Sequence, residues 1–188
     1  MARPKSEDKR NAIMEAATQA LVAHGLGAPT ALIAQEAGVS NGALFTYFET
    51  KSDLFNQLYL ELKRGMADAV LAQLPARAGV RQQLEHMWSN WLGWAVAHPA
   101  RRRALAQLNV SDQIAPASRV LANQTMGALV ALMEQARADG PLRAAPLGFV
   151  VAIINALADA TIDIMLQDPG NAERHCATGF EALWRVLK

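Results

Sequence analysis

Apolar residues recur along this chain at intervals of three and four, the repeat that gathers side chains on one face of an α-helix. The repeat is clear at Ile13, Ala17 and Leu21 and again over residues 54–62. No clear alternation of apolar and polar residues and no hairpin turn interrupts it. The pattern therefore predicts an all-α protein.

Helix-breaking positions, most of them glycine or proline, divide this pattern into segments. They fall at residues 25–29, 38, 49–50, 75–79, 99, 116, 140–141 and 169–170. About nine helices result, and those before residue 51 are shorter than those after it. We predict a three-helix N-terminal module over residues 1–50 that is joined to a larger C-terminal helical bundle over residues 51–188.

The composition limits the classes of protein to which this chain can belong. Of the 188 residues 52% are hydrophobic, which is enough for a buried core. Cys176 has no second cysteine to pair with, and residues 1–10 are polar, unlike a secretory signal. The most apolar stretch, residues 149–166, carries one asparagine and two aspartates, which favours a buried helix over a membrane span. We expect a cytoplasmic protein with no membrane partner.

Residues 30–51, TALIAQEAGVSNGALFTYFETK, have the spacing of a helix-turn-helix. Ala34 is small enough for a second helix to approach, and Gly38 can take the left-handed conformation that ends a helix. Val39 and Leu44 can fill the angle between the two helices. We interpret the second helix, from about Asn41 to Phe48, as a recognition helix.

The ends of that helix carry capping residues. Ser40 can cap its start, where Asn41, Gly42 and Ala43 offer small side chains and backbone N–H groups to a phosphate. Thr50 and Asp53 form a T-x-x-D arrangement that starts the next helix. Lys51 then lies in the first turn of that helix, with its ammonium free to reach a DNA backbone.

The segment resembles the TetR family of transcriptional regulators (TetR/AcrR type), whose recognition segment reads I-A-x-x-A-G-V-S-x-G-x-L-Y/F-x-Y/H-F-x-x-K before an acidic residue and leucine. The corresponding residues are Ile33, Ala34, Ala37, Gly38, Val39, Ser40, Gly42, Leu44, Phe45, Tyr47, Phe48, Lys51, Asp53 and Leu54. The resemblance implies a DNA-binding, ligand-responsive repressor. Such a repressor binds a palindromic operator in double-stranded DNA as a homodimer, and a small-molecule effector releases it.

The resemblance also implies roles for single residues. Tyr47 and Lys51 would bind phosphates, Thr30 would approach the DNA backbone, and the major groove would receive Asn41, Gly42 and Thr46. Two positions depart from the family pattern. Ala43 stands where many members have threonine, and Pro29 precedes Thr30 where a hydroxyl cap is common.

Net charge does not support DNA binding, because residues 1–51 hold five Lys or Arg and five Asp or Glu. The distribution of charge is more informative. Arg3 and Lys5, with Lys9 and Arg10, form a basic arm that could reach phosphates or a minor groove. A solvated chain terminus is the alternative.

The larger domain carries candidates for an effector site and a dimer interface. Three tryptophans at three-residue steps could line a cavity with neighbouring side chains, although plain core packing is the commoner role. The candidate residues are Met87, Trp88, Asn90, Trp91, Trp94, Asn123, Met126 and Phe149. The last two long helices, over residues 146–167 and 171–187, pair across a twofold axis in the family resembled; a fully internal core is the alternative.

A small helical enzyme or a non-DNA interaction module is the alternative function. His175 and Cys176 are neighbours on a helix and point about 100° apart, so they are not placed as a base and a nucleophile. Asn155, Asp159, Asp163 and Gln167 follow at four-residue intervals, and this polar stripe indicates a solvent-facing or interface surface more than a cation site. We expect no enzymatic activity, metal or cofactor.

Overall fold

The computed structural model describes residues 5–188, except for the side chain of Lys5. All regular structure in this part of the chain is helical, which confirms the all-α prediction. Ten α-helices follow one another: α1 (Lys5–His24), α2 (Thr30–Glu36), α3 (Asn41–Tyr47), α4 (Lys51–Leu71), α5 (Val80–Ala97), α6 (Pro99–Asn109), α7 (Pro116–Gln124), α8 (Gly127–Arg137), α9 (Leu147–Gln167) and α10 (Ala172–Leu187).

The tenth helix arises because the segment after Pro116 is not one helix. The chain leaves the helical conformation between α7 and α8, where Met126 has φ −98° and ψ 7°. No proline marks this point, and its one sequence signal is Gly127. The ten α-helices of the described residues agree with the expected number of about nine, and the division of this segment accounts for the difference.

The helices group into two compact units by their contacts. The first unit holds the residues up to Gly65 together with Pro99–Gln124, and the second holds Met66–His98 together with Thr125–Lys188. Residues of α4 up to Gly65 thus belong to the first unit and those from Met66 to the second. The division by contacts does not test the predicted domain boundary after residue 50, which stays a prediction.

In the first unit α1 packs against α2 and α6, and α2 packs against α3. Its interior is built from fully buried aliphatic and aromatic side chains: Ile13, Leu21, Ile33, Leu44, Phe48, Leu54, Phe55 and Leu108. Arg101 at the start of α6 pairs with Glu15 of α1 at 3.5 Å, and the Gln107 side chain donates to the Leu21 carbonyl at 3.1 Å. Polar contacts therefore supplement the apolar packing of α6 on α1.

The segment 110–115, between α6 and α7, is tied to α4 in the same unit. The Asn56 side chain donates to the Gln113 carbonyl at 2.9 Å and accepts from the Ala115 N–H at 2.9 Å. Arg119 of α7 donates to the carbonyls of Asn109 and Ser111, each at 2.7 Å. The bond to Asn109 satisfies the last carbonyl of α6, which has no partner within the helix.

In the second unit α5 packs against α8, α9 and α10, and α9 packs along α10. The indole N–H of Trp88 on α5 donates to the Cys176 carbonyl on α10 at 3.0 Å. Gly179 of α10 brings its backbone close to the side chains of Trp88 and of Thr161 on α9. The three helices thus meet at a residue that has no side chain.

The burial of α9 differs from the burial that its sequence predicts. Val150, Ile154, Ala158, Ile162 and Met165 form a buried face, but Phe149 is 56% exposed and Ile164 is 44% exposed. By length and composition alone, α9 is also the one described helix that could cross a membrane. Only 28% of its most apolar stretch of 18 residues is buried inside the structure. The prediction of a buried helix is therefore right for one face of α9 and wrong for the other.

Candidate nucleic-acid interface

The turn between α2 and α3 has the geometry that its sequence predicts. Gly38 takes φ +67°, the left-handed conformation that a residue with a side chain adopts only at a cost. The Val39 N–H then donates to the Ala34 carbonyl at 2.9 Å, which closes the end of α2. Ala34 and Leu44 are both buried, so the two short helices cross in contact.

Helix α3 begins with the predicted cap. Ser40 is extended, with φ −71° and ψ 153°, and its hydroxyl accepts from the Ala43 N–H at 3.1 Å. This bond changes one expectation, because the Ala43 N–H is occupied by the cap. The expected contact of the first turn with phosphate remains a prediction for Asn41 and Gly42.

One face of α3 is exposed and the other is buried. Asn41, Gly42, Phe45 and Thr46 are exposed, whereas Leu44 is fully buried. The Thr46 hydroxyl donates to the Ala43 carbonyl at 2.6 Å, so its proton is used within the helix. The helix therefore presents small, polar and aromatic groups together on one surface.

Phe45 was not among the site residues predicted from the sequence. It is 41% exposed on the same face as Asn41 and Gly42, from which it is separated by four and three residues. That spacing was available in the sequence, but the hydrophobic character of phenylalanine favoured a core position. An exposed aromatic ring on a recognition helix can contact thymine methyl groups in a major groove.

Lys51 is not free, contrary to the expectation. Its ammonium donates to the Leu26 carbonyl at 2.8 Å and lies 5.3 Å from the centre of the Phe55 ring. An ammonium has three donors, so these contacts leave capacity for a phosphate. Lys51 therefore also holds the loop before α2, while Tyr47, at the end of α3, is half-buried.

The T-x-x-D cap before α4 is present. The Asp53 N–H donates to the Thr50 hydroxyl at 3.0 Å, and the Asp53 carboxylate accepts from the Glu49 N–H at 3.1 Å. The return bond thus reaches one residue further back than in a standard capping box. The start of α4 is fixed directly behind the recognition helix.

The remaining predicted DNA contacts are Thr30 and the basic residues near the start of the sequence. Thr30 is the first residue of α2 and follows Pro29, whose side chain makes no capping hydrogen bond. Arg3 and the side chain of Lys5 lie outside the described residues. Arg10 is engaged elsewhere, since its guanidinium donates to Glu61 at 3.1 Å. The basic arm therefore stays a prediction for Arg3, Lys5 and the exposed Lys9.

The structure brings only some of the predicted effector residues together. Trp88 and Trp91 meet edge to face with ring centres 6.1 Å apart, and Trp88, Trp94 and Met87 are buried in the second unit. The Asn90 side chain donates to the Ala72 carbonyl at 3.0 Å, which gives a hydrogen-bond partner to the first carbonyl after α4. Phe149, Asn123 and Met126 are exposed or half-buried, and Asn123 belongs to the other unit. Ligand binding by these eight residues stays a prediction.

The neighbours His175 and Cys176 have separate surroundings. His175 lies 3.0 Å from the Asp168 carboxylate, and this hydrogen bond holds the pKa of Asp168 below its usual value. Burial raises the pKa of the Cys176 thiol, which disfavours the reactive thiolate. Within residues 5–188, no group of three or more His, Cys, Asp or Glu could hold a metal ion.

Known proteins match both the first helices and the whole fold. The family described as bacterial regulatory proteins, tetR family, matches residues 13–58. The HTH-type transcriptional regulator YhgD of Bacillus subtilis is 32% identical over 84 residues, which are 42% of this chain and 44% of YhgD. The match thus spans less than half of that relative.

Solved structures extend the similarity to the remaining helices. A tetR family transcription regulator from Shewanella sp. PV-4 is 29% identical, with 94% of this chain and 96% of that chain covered and a TM-score of 0.82. The regulator FadR from Bacillus subtilis, solved in complex with stearoyl-CoA, is 14% identical, with 95% and 99% covered and a TM-score of 0.68. The second comparison shows a common fold alone.

Proposed function

Because this chain belongs to the TetR family of bacterial transcription regulators, we propose that it binds a palindromic operator as a homodimer and is released by a small-molecule effector. The observation that carries the proposal is α3, which exposes Asn41, Gly42, Phe45 and Thr46 after a turn that is closed by hydrogen bonds and capped by Ser40. Two such helices, about 34 Å apart, would enter successive major grooves. Bound there in the cytoplasm, the protein would obstruct transcription.

The DNA contacts would divide into positioning and reading. Tyr47, Lys51 and Thr30, with Arg3 and Lys5 of the terminal arm, would contact phosphates and set the register of α3 on the duplex. Asn41, Gly42 and Thr46 would face base edges, and the Phe45 ring would contact thymine methyl groups. Phosphate contacts make affinity fall with salt, whereas base contacts make it depend on sequence.

A gel shift with DNA from around the protein's own gene tests this function. We expect a shift that depends on sequence and weakens with salt, and Phe45→Ala should weaken it at least about tenfold by removing contact with bases. Gln19→Ala on the exposed side of α1 is the matched control and should bind like the unaltered protein. A shift that is equal on unrelated DNA, or unchanged by Phe45→Ala, would contradict the assignment of α3.

The exposed face of α9 supports the homodimer. Phe149, Ala156, Ala160 and Ile164 follow one another at spacings of seven and four, which place them along one exposed stripe. Alanines in its middle allow two helices to approach closely, and the apolar ends would be covered by the second copy. We propose that α9 and α10 form this interface across a twofold axis.

Ala156→Glu is expected to weaken the dimer at least about tenfold, because a twofold axis brings the new carboxylate near its own copy. Gln82→Glu adds the same charge to the exposed surface of α5 and should leave the dimer intact. The molecular mass in solution, measured by sedimentation at micromolar concentration, distinguishes the two. A stable monomer of the unaltered chain would remove the proposed interface.

The effector would act through α4, whose residues belong to both compact units. A small molecule that shifts α4 would change the separation of the two recognition helices and so oppose DNA binding. The complex of FadR with stearoyl-CoA supports the capacity of this fold to hold a small molecule. The effector residues predicted here remain Met87, Trp88, Asn90, Trp91, Trp94, Asn123, Met126 and Phe149.

A further inference from the structure

Arg10 of α1 is one of the four cations of the predicted basic arm, but its guanidinium binds to α4. One nitrogen, Nη1, donates to the Glu61 carboxylate at 3.1 Å, and the other, Nη2, donates to the side-chain oxygen of Gln57 at 3.1 Å. A guanidinium is planar and its donors are fixed relative to one another, so two acceptors on one helix also fix its orientation. Arg10 therefore links α1 to one side of α4.

The hydrogen bonds continue along α4 to its first turn. Asp53, Gln57 and Glu61 are four residues apart and so lie along one side of the helix. The Gln57 amide nitrogen donates to both oxygens of the Asp53 carboxylate, at 3.0 and 3.2 Å. Its amide oxygen accepts from Arg10, so both ends of the amide are occupied. Arg10, Gln57 and Asp53 thus form a continuous chain of hydrogen bonds, the Arg10 network.

The Arg10 network contacts the three-residue connection between α3 and α4. The guanidinium carbon of Arg10 lies 5.8 Å from the centre of the Phe48 ring, which is only 1% exposed. The Asp53 carboxylate accepts from the Glu49 N–H at 3.1 Å, and the Asp53 N–H donates to the Thr50 hydroxyl at 3.0 Å. Each residue between the recognition helix and α4 is therefore in contact with this network.

These contacts make Arg10 a poor phosphate ligand. The Glu61 carboxylate offsets the charge of the guanidinium, and a phosphate would have to compete with it. The pair also contributes little to stability, because its side chains are 36% and 49% exposed and such surface ion pairs are weak. The main contribution of Arg10 is then to orientation, since it holds the chain that leaves α3.

We propose that Arg10 is a positioning residue for operator recognition, which acts through Gln57, Asp53 and Phe48 to hold the end of α3. This role rests on the proposed function, because it concerns how α3 meets DNA. Binding sites need their side chains within about 0.5 Å of the correct geometry, so a loosely held α3 would lose base contacts. Binding to unrelated DNA depends on phosphates and should be affected less.

Arg10→Met removes the guanidinium but keeps an unbranched apolar stem. We expect it to weaken binding to the operator found by the gel shift about tenfold, at a temperature where circular dichroism shows the variant to be folded. Its affinity for unrelated DNA, and the dependence of operator affinity on salt, should not change, because no phosphate contact is lost. Arg64→Met removes the same charge from an exposed position of α4 and should change none of these quantities.

A phosphate ligand would give a different result. If Arg10 bound a phosphate, Arg10→Met would lower the affinity for both DNAs, and the slope of log affinity against log salt would decrease by about one. That result, or an unchanged affinity for the operator, would overturn the proposal.

Gln57→Leu interrupts the Arg10 network without changing any charge. We expect about the same tenfold loss of operator affinity as in Arg10→Met. Combining the two substitutions should cause no further loss, because both interrupt one chain of bonds. Losses that multiply to about a hundredfold would mean that the two residues act independently, which would contradict the network.

Amide hydrogen exchange, followed by NMR, tests the network without DNA. The Glu49 N–H is bonded to Asp53, so Arg10→Met and Gln57→Leu should each speed its exchange at least about fivefold, whereas Arg64→Met should not. Unchanged exchange at Glu49 would overturn the inference even if the operator is bound. Faster exchange in a protein that binds no DNA sequence selectively would instead contradict the proposed function.

Discussion

Leu44→Ala is expected to lower the free energy of unfolding by about 2–5 kcal/mol, the usual cost of emptying a filled core position. Leu44 is fully buried on the inner face of α3 and packs in a region that also buries Ile33 and Phe48. Seven residues of helix cannot hold their position alone, so α3 should lose its place on α2. Urea unfolding followed by circular dichroism measures the change.

Phe45→Ala is the matched control, because it removes a larger side chain from the next position of the same helix. Phe45 is exposed, so its loss should change stability by no more than about 0.5 kcal/mol while it weakens DNA binding. The two neighbouring substitutions thus separate the folding role of α3 from its binding role. Equal loss of stability in both variants would show that the two faces of α3 are wrongly assigned.

Gly179→Ala should also destabilise the protein, by about 1–3 kcal/mol through overpacking. A methyl group there would lie 2.5 Å from the Thr161 hydroxyl oxygen and 3.0 Å from Cζ2 of Trp88. Neither neighbour can move away at little cost. The Thr161 hydroxyl donates to the Leu157 carbonyl at 2.7 Å, and the Trp88 indole is held by the Cys176 carbonyl.

Gly93→Ala is the matched control for this close approach. Gly93 lies within α5, and nothing would meet a methyl group there within 4 Å. Alanine is the better helix former, so this variant should gain about 0.5–1 kcal/mol in the same unfolding measurement. Gains in both variants would mean that α5, α9 and α10 pack less tightly than the distances at Gly179 indicate.

The parts of the fold that the sequence predicted well depend on neighbouring residues. The left-handed turn needs only one residue type, the glycine at position 38. The Ser40 cap and the Thr50–Asp53 bond each join residues at most four positions apart. Their geometry follows from backbone sterics and short-range hydrogen bonding, which a local reading of the chain captures. The start of α4 at Lys51 was predictable for the same reason.

The features that sequence analysis missed depend on residues far apart along the chain. Lys51 meets Leu26 and Arg101 meets Glu15, and neither pairing has a periodic signal in the sequence. Phe45 was missed because composition alone treats an aromatic residue as core. Burial depends on which face the tertiary structure covers, so an apolar residue can remain outside.

The two bonds of Asn56 connect α4 to the segment 110–115 and so limit how α4 can rotate. Its single amide donates to Gln113 and accepts from Ala115, so a rotation of α4 that keeps one bond would stretch the other. Arg119 fastens the other flank of the same segment to the end of α6. We therefore expect a displacement of α4 near Asn56 to move the segment 110–115 and, through Arg119, the end of α6 together with α7.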